Sequence, residues 1–169
     1  MYNNDRMTVR AAAASALKQE PVLSDPLFAT ARRARVGSPV LVHTSNGEPA
    51  FWLAPYEIHD KVCGFAEVNL DGNVGRVAIL GASPDDNQSW IDRSFFDRPP
   101  TAVLDELRVK HEDSTLSVPL LSFDATPVRW GWKVDAVSTR SGALVTTAFI
   151  TPGGWYERPP GPPKSDREG

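Results

Sequence analysis

Two dipeptides constrain the fold of this chain more than any other feature: Asn46-Gly47 and Asp71-Gly72, each lying between two apolar runs. Asn, Asp and Gly tolerate the positive φ angles of a type I′ turn, so such pairs mark β-hairpins. The flanking runs are rich in Val, Ile, Phe and Trp, residues that favour strands. With a third turn at His59-Asp60-Lys61, they predict four strands, near 39–44, 49–58, 62–70 and 74–80.

A shorter version of the same pattern begins at Pro119. Pro39–Leu41 matches Pro119–Leu121, and Pro49–Trp52 matches Pro127–Trp130. In the second version apolar and polar residues alternate, which predicts an antiparallel sheet with one covered face. The residues expected on that face are Val128, Trp130, Trp132 and Val134, and those expected on the other are Arg129, Gly131, Lys133 and Asp135.

A helix is predicted before each sheet. Asp25 and Pro26 form a helix-start signal for a helix that runs to about Arg35, and a second helix is expected from Thr101 to His111. A sheet with one apolar face needs a covering layer, which the preceding helix can supply. We therefore predict an α+β fold of two related units, each a helix packed on a three- to four-stranded antiparallel sheet. The predicted divisions are an N-terminal helix at 1–23, units at 24–82 and 83–157, and a Pro-rich tail at 158–169.

The first unit carries more apolar residues than a one-sided sheet needs. If the alternation of the second unit holds there, Ala50, Trp52, Ala54 and Tyr56 face the core. Phe51, Leu53 and Pro55 then need cover from a helix, from the other unit or from a partner. Cover within the chain is the simpler interpretation, and a binding surface is the alternative. The predicted partner-binding residues are Phe51, Leu53, Pro55, Trp130, Trp132, Pro159 and Pro162.

The two prolines in that set lie in the tail ERPPGPPKSDREG. Proline prevents both helix formation and ladder pairing, so we expect an extended polyproline-II segment. Arg158, Pro159, Pro162 and Lys164 loosely fit a ligand for an aromatic groove. A tail that only aids solubility would have the same composition.

Catalytic chemistry would have to be built around Cys63, with His59 or His43 as its base. The sequence contains no recognisable third group to orient such a pair, so a buried, inert cysteine is the simpler interpretation. His43, His59 and His111 show no close metal-ligand spacing, and phosphate-loop and nucleophile-elbow motifs are absent. We predict no catalytic residue, no metal and no cofactor.

The composition argues against two classes of partner, nucleic acid and the membrane. A net charge of −3 over 169 residues offers no basic surplus for nucleic acid. No apolar run approaches the roughly 20 residues of a membrane helix. Arg6, Arg10 and the alanine run after them faintly imitate a secretion signal, but Lys18-Gln19-Glu20 follows directly, and we expect a helix there. We therefore expect a cytoplasmic protein whose partner is another protein or a second copy of itself.

The helix followed by a meander resembles cystatin-like sheets of the PepSY type. In the first unit Phe51–Tyr56, Gly64-Phe65 and Leu70–Val74 carry the resemblance; in the second, Trp130-Gly131-Trp132 does, without the Asp-Gly turn. The resemblance covers about half of the chain and implies a binding or inhibitory module, often in an exported protein. It transfers no site residues.

These observations favour a non-catalytic protein-binding or assembly module that uses an apolar sheet face. One alternative is a small-ligand-binding protein or enzyme with a pocket between sheet and helix that contains Cys63, His59 or acidic residues. The other is a protease-inhibitor-like module.

Overall fold

The computed structural model describes residues 2–81, 90–124 and 129–161. These residues form a mixed α+β structure of two α-helices and one 11-stranded sheet. The helices are α1, Tyr2–Ala16, and α2, Thr101–Lys110. The strands are β1 Arg35–Val36, β2 Val40–His43, β3 Pro49–Ile58, β4 Lys61–Asn69, β5 Val74–Ile79, β6 Ile91–Asp92, β7 Ser114–Leu116, β8 Leu120–Phe123, β9 Trp130–Ser138, β10 Leu144–Thr151 and β11 Gly154–Arg158. The four strands expected in the first unit agree with β2 to β5 within one or two residues.

The sheet runs in the order β11-β10-β9-β8-β2-β3-β4-β5, with β1 beside β3, β6 beside β4 and β7 beside β9. Every pairing is antiparallel except that of β2 with β8, which is parallel and pairs His43 with Ser122. The sheet therefore consists of a first half, β1 to β6, and a second half, β7 to β11, joined at its centre.

The two glycine-containing hairpins form where expected, but the predicted turn type is wrong. Gly47 and Gly72 have φ of 86° and 89°, whereas neither Asn46 nor Asp71 has a positive φ. The Gly47 N–H donates to the Thr44 carbonyl, and the Gly72 N–H donates to the Asn69 carbonyl. These longer loops need the left-handed conformation at glycine alone, because a bulge after the turn restores the strand twist.

The helix predicted from Pro26 to about Arg35 is also wrong. The segment forms two short 3-10 turns, Pro26–Phe28 and Ala31–Arg33. The Asp25 side chain does accept from the Leu27 N–H at 2.9 Å, as the start signal predicted. The Arg32 guanidinium, however, donates to the carbonyls of Val22 and Asp25, both at 2.9 Å, and so ties the segment into an irregular fold.

The first half is covered on its outer face by α1. Val9, Ala13 and Leu17 pack against a buried group from β3 and β4 that includes Trp52, Ala54, Tyr56, Cys63, Ala66 and Val68. The Tyr56 hydroxyl donates to the Ala13 carbonyl at 2.9 Å. The small alanine side chains let the helix approach the sheet closely.

The other face of the first half meets the second half. Its residues join those of β9 and β10 in an inner core that includes Phe51, Leu53, Val62, Phe65, Trp130, Trp132, Val134, Ala148 and Ile150. The rings of Phe95 and Phe96 fill the space beside Trp130, with centroids 6.4 and 5.4 Å away. The Trp132 indole N–H donates to the Phe95 carbonyl at 2.7 Å. The two phenylalanines thus close the junction between the halves.

No helix among the described residues is both long and apolar enough to span a membrane.

Candidate functional site

The apolar residues predicted to bind a partner are mostly core residues. Leu53 is fully buried, Pro55 is also buried, and Phe51, Trp130 and Trp132 keep 8% or less of their surface exposed. The parallel pairing of β2 with β8 is the physical reason, because it places the second half on the side where Phe51 and Leu53 point. Cover within the chain, the simpler of the two interpretations, is therefore what the structure shows.

The two tail residues of that set are placed differently. Pro159 follows β11 directly and is exposed. Pro162 lies outside the described residues. Docking of the tail stays a prediction.

Cys63 is shielded from solvent in β4. Its thiol donates to the Tyr56 carbonyl at 3.3 Å, while His59 is exposed in the turn between β3 and β4. Burial raises the pKa of the Cys63 thiol to about 11, which keeps it protonated near neutral pH. A protonated thiol is a poor nucleophile, so this environment suits the inert cysteine that the simpler interpretation predicted.

Glu57 forms a buried ion-pair cluster at the end of β3. Its carboxylate lies 2.9 Å from Arg35 Nη2 and 2.6 Å from Arg93 Nε. A Cβ atom on Gly37 would lie 1.8 Å from Glu57 Oε1, so residue 37 has to be glycine for the carboxylate to fit. The cluster joins β1 and the 3-10 turn Arg93–Phe96 to β3, which is a structural role. No group of three or more His, Cys, Asp or Glu in the described part of the chain is arranged to hold a metal ion.

The two ends of the sheet leave a cleft between the halves. β5 and β11 are the outermost strands, and neither has a strand partner on its outer edge within the described residues. A cleft of about 490 Å³ lies near these ends. We call it the seam cleft and define it by Phe65, Leu80, Ile91, Arg129, Trp130, Thr151, Pro152 and Tyr156.

Both halves contribute aromatic rings to the seam cleft. Phe65 of β4 lies edge-on to Trp130 of β9, with ring centroids 5.8 Å apart. The Arg76 guanidinium lies 5.9 Å from the centroid of the Phe65 ring and forms an ion pair with Glu67 at 2.8 Å. The wall is thus apolar and aromatic, with charged groups at its margin, as binding sites commonly are.

On the second half, Tyr156 is held in a fixed orientation. Its ring stacks on Phe149 at 5.8 Å, and its hydroxyl donates to the buried carboxylate of Asp124. Arg158 lies 2.7 Å from the same carboxylate. Burial and the neighbouring Asp124 raise the pKa of Tyr156, while the charges of Arg129 and Arg158 act in the opposite direction.

The other face of β11 is held by α2. Lys110 and His111 both contact the Glu157 carboxylate, and Lys110 Nζ lies 5.4 Å from the centre of the Trp155 ring. Burial raises the pKa of Glu157, but the bonds and charges of Lys110 and His111 outweigh it and leave the pKa below its ordinary value. β11 is therefore anchored on both faces, and within the described residues its outer edge has no strand beside it.

Other clefts fit a binding role less well. The cleft at Ala29, Thr30, Arg32, Arg33 and Ile58 is larger, about 540 Å³, but Arg32 already donates to two backbone carbonyls. A cleft of about 390 Å³ lies between α1 and β1, and one of about 360 Å³ between α2 and β7. These are the pockets between helix and sheet that the alternative interpretation expected. Neither joins the two halves or contains an aromatic ring.

Sequence reasoning identified one part of the seam cleft and missed the rest. It named Trp130, but it assigned no binding role to Phe65, Leu80 or Tyr156. The adjacent aromatic residues Trp155 and Tyr156 at the start of a short final strand were an available signal.

Compared with known proteins, the chain matches no family model, no curated protein and no solved structure.

Proposed function

We propose that this protein is a non-catalytic protein-binding or assembly module and that its partner contributes an extended segment to the seam cleft. The observation that carries the proposal is an aromatic cleft lined by Tyr156 of β11 and by Leu80 directly after β5, the two outermost strands among the described residues. We place this activity in the cytoplasm, as the composition led us to expect.

An extended peptide suits this geometry for a physical reason. A free strand edge offers N–H and C=O groups that a peptide backbone can pair with, and side-chain pockets beside the edge supply specificity. β11 is anchored by Asp124 on one face and by α2 on the other, so little further ordering is needed on binding. Such an arrangement favours affinity, because the site is formed before the partner arrives.

We also propose that the two halves are copies of one unit. In the first half Leu41 pairs with Trp52, which pairs with Val68; in the second, Leu121 pairs with Trp132, which pairs with Ile150. β1 lies beside β3 in the same way that β7 lies beside β9. In this register the counterpart of Trp52 is Trp132, two residues beyond the Trp130 of the sequence match.

The copies then differ in which side of the sheet they present. If Trp52 corresponds to Trp132, Val42 of β2 corresponds to Ser122 of β8. In the central parallel pair, however, Ser122 lies beside His43, which is one residue further along β2. Neighbouring residues in a strand point to opposite faces, so the helix-covered face of one copy lies on the same side as the bare face of the other. The matching register around Trp52 and Trp132 supports a duplicated unit and a cystatin-like helix-on-sheet plan, with α1 as the helix of the first copy.

The test is selection of binding peptides on the full chain. A phage-displayed library of random linear peptides is panned on the wild-type protein, and each enriched peptide is assayed on two variants. Leu80→Asp places a charge inside the seam cleft, and Val118→Asp makes the same change at a residue that is 87% exposed and outside it. We expect binding to be lost in the first variant and kept in the second.

Thermal unfolding shows whether Leu80→Asp is folded. If it is not, Pro152→Trp at the exposed lip of the cleft replaces it. Failure to enrich any peptide, or equal binding by both variants, would contradict the proposal.

A small apolar ligand is the second candidate, since about 490 Å³ is within the range of small-molecule sites, roughly 300–1,000 Å³. An apolar fluorescent dye that binds the wild type, is lost in Leu80→Asp and is not displaced by the selected peptides would favour this candidate.

A further inference from the structure

We propose that the segment bound in the seam cleft carries a carboxylate side chain and that Arg129 pairs with it. This inference rests on the proposed function and adds the chemistry of the partner. It is argued from the balance of charge around the cleft and from the position of β11.

Two of the three arginines near the cleft are already neutralised. Arg76 pairs with Glu67 at 2.8 Å, and Arg158 pairs with Asp124 at 2.7 Å. Arg129 lines the cleft and is exposed, and no ion pair joins it to any described residue. The cleft therefore carries one positive charge that pairs with no acid among the residues that the structure describes.

Arg129 is also positioned by backbone pairing. Its carbonyl accepts from the Asp124 N–H at 2.7 Å, immediately before β9 begins. Arg129 and Tyr156, the central residue of β11, line the same cleft, so the charged side chain lies beside this strand. A partner strand lying along β11 would pass the same charge.

A single cation beside aromatic rings selects for a particular kind of partner. The rings favour apolar side chains, and the cation favours a carboxylate near them. Nucleic acid is a poor match, because its affinity depends on many cations and this protein has a net charge of −3. The occupant is therefore an extended peptide that combines an Asp or Glu with apolar residues at alternate positions.

The experiment uses the full chain and the same peptide library. We expect the peptides enriched on the wild type to contain Asp or Glu more often, and Pro less often, than the unselected library. The strongest binder is then synthesised and titrated against wild type, Arg129→Glu and the control Arg33→Glu. Arg33 is exposed and lies outside the seam cleft.

Arg129→Glu should weaken binding by roughly three- to tenfold, in the range of a partly exposed charge pair, and Arg33→Glu should leave it unchanged. Replacing the acid of the peptide with Gln should produce a similar loss on wild type and none on Arg129→Glu. Enriched peptides without an acidic bias, or equal affinity for wild type and Arg129→Glu, would overturn this inference. If Leu80→Asp still abolished binding in that case, the proposed function would stand.

Discussion

The ring of Phe65 lies edge-on to that of Trp130, 5.8 Å away, although three strands separate β4 from β9 in the sheet. In a flat sheet, four strand spacings would hold them roughly 19 Å apart. The sheet therefore curls until its two halves face each other. This curvature creates both the inner core and the cleft where the sheet ends approach.

Leu53→Asp should unfold the protein rather than create a folded monomer that has lost a partner. Leu53 is fully buried in the inner core, so the change removes its packing and places a charge among apolar side chains. We expect a loss of at least about 4 kcal/mol in the free energy of unfolding. Urea unfolding measures it, with Leu70→Asp as control, because Leu70 is 55% exposed. A stable, folded Leu53→Asp protein would contradict the structure.

Glu57→Gln should destabilise the fold far more than a similar change in a surface pair. The substitution leaves Arg35 and Arg93 without the buried carboxylate that lies between them. Loss of the buried carboxylate should cost more than the about 0–1 kcal/mol of an exposed pair, although Arg93 keeps its pair with Asp97 at 3.1 Å. The control is Asp92→Asn, which removes the exposed pair of Lys61 with Asp92. Equal midpoints of denaturant unfolding for the two variants would show that the Glu57 cluster contributes little.

Native Cys63 should react slowly with thiol reagents near pH 8. With its pKa raised from 9.0 to about 11, about one thiol in a thousand is ionised there, against about one in ten after unfolding. Labelling kinetics in the absence and presence of urea measure the difference. The Cys63 thiol has a higher pKa in the folded protein than in the unfolded chain. Its contribution to the free energy of unfolding is therefore complete below about pH 9 and is lost as the pH rises towards 11. Cys63→Ser should reduce this alkaline loss of stability.

Glu157 should make the contact between α2 and β11 sensitive to acid. Its folded pKa is lowered from 4.5, so its stabilising effect is present above that value and is lost as the pH falls through the folded pKa. The wild type should therefore lose more stability than Glu157→Gln on going from neutral to acidic pH. Thermal midpoints of the two proteins across this range test it. A constant difference at every pH would mean that Glu157 does not act through its charge.

Much of the local structure could be predicted from the sequence, because it depends on neighbouring residues. Apolar alternation and the glycine turns located β2 to β5, and the strict alternation in β9 placed Trp130, Trp132 and Val134 on one face, as observed. Burial of Cys63 followed from its place within a strand. The segment predicted as a helix at Pro26–Arg35 is instead held by Arg32, which donates to the carbonyls of Val22 and Asp25, a contact that helix-start signals do not reveal.

The sequence by itself determined the strands, their order in each hairpin and which residues share a face. Only the tertiary structure decided which faces meet, because that depends on a parallel pairing between His43 and Ser122, far apart in the chain. Because of this pairing, Phe51 and Leu53 lie in the inner core and do not form a binding surface. The same pairing places Phe65 and Trp130 beside each other in one cleft. Local periodicity carries no information about such a contact, since either orientation of the two halves would satisfy the same alternation.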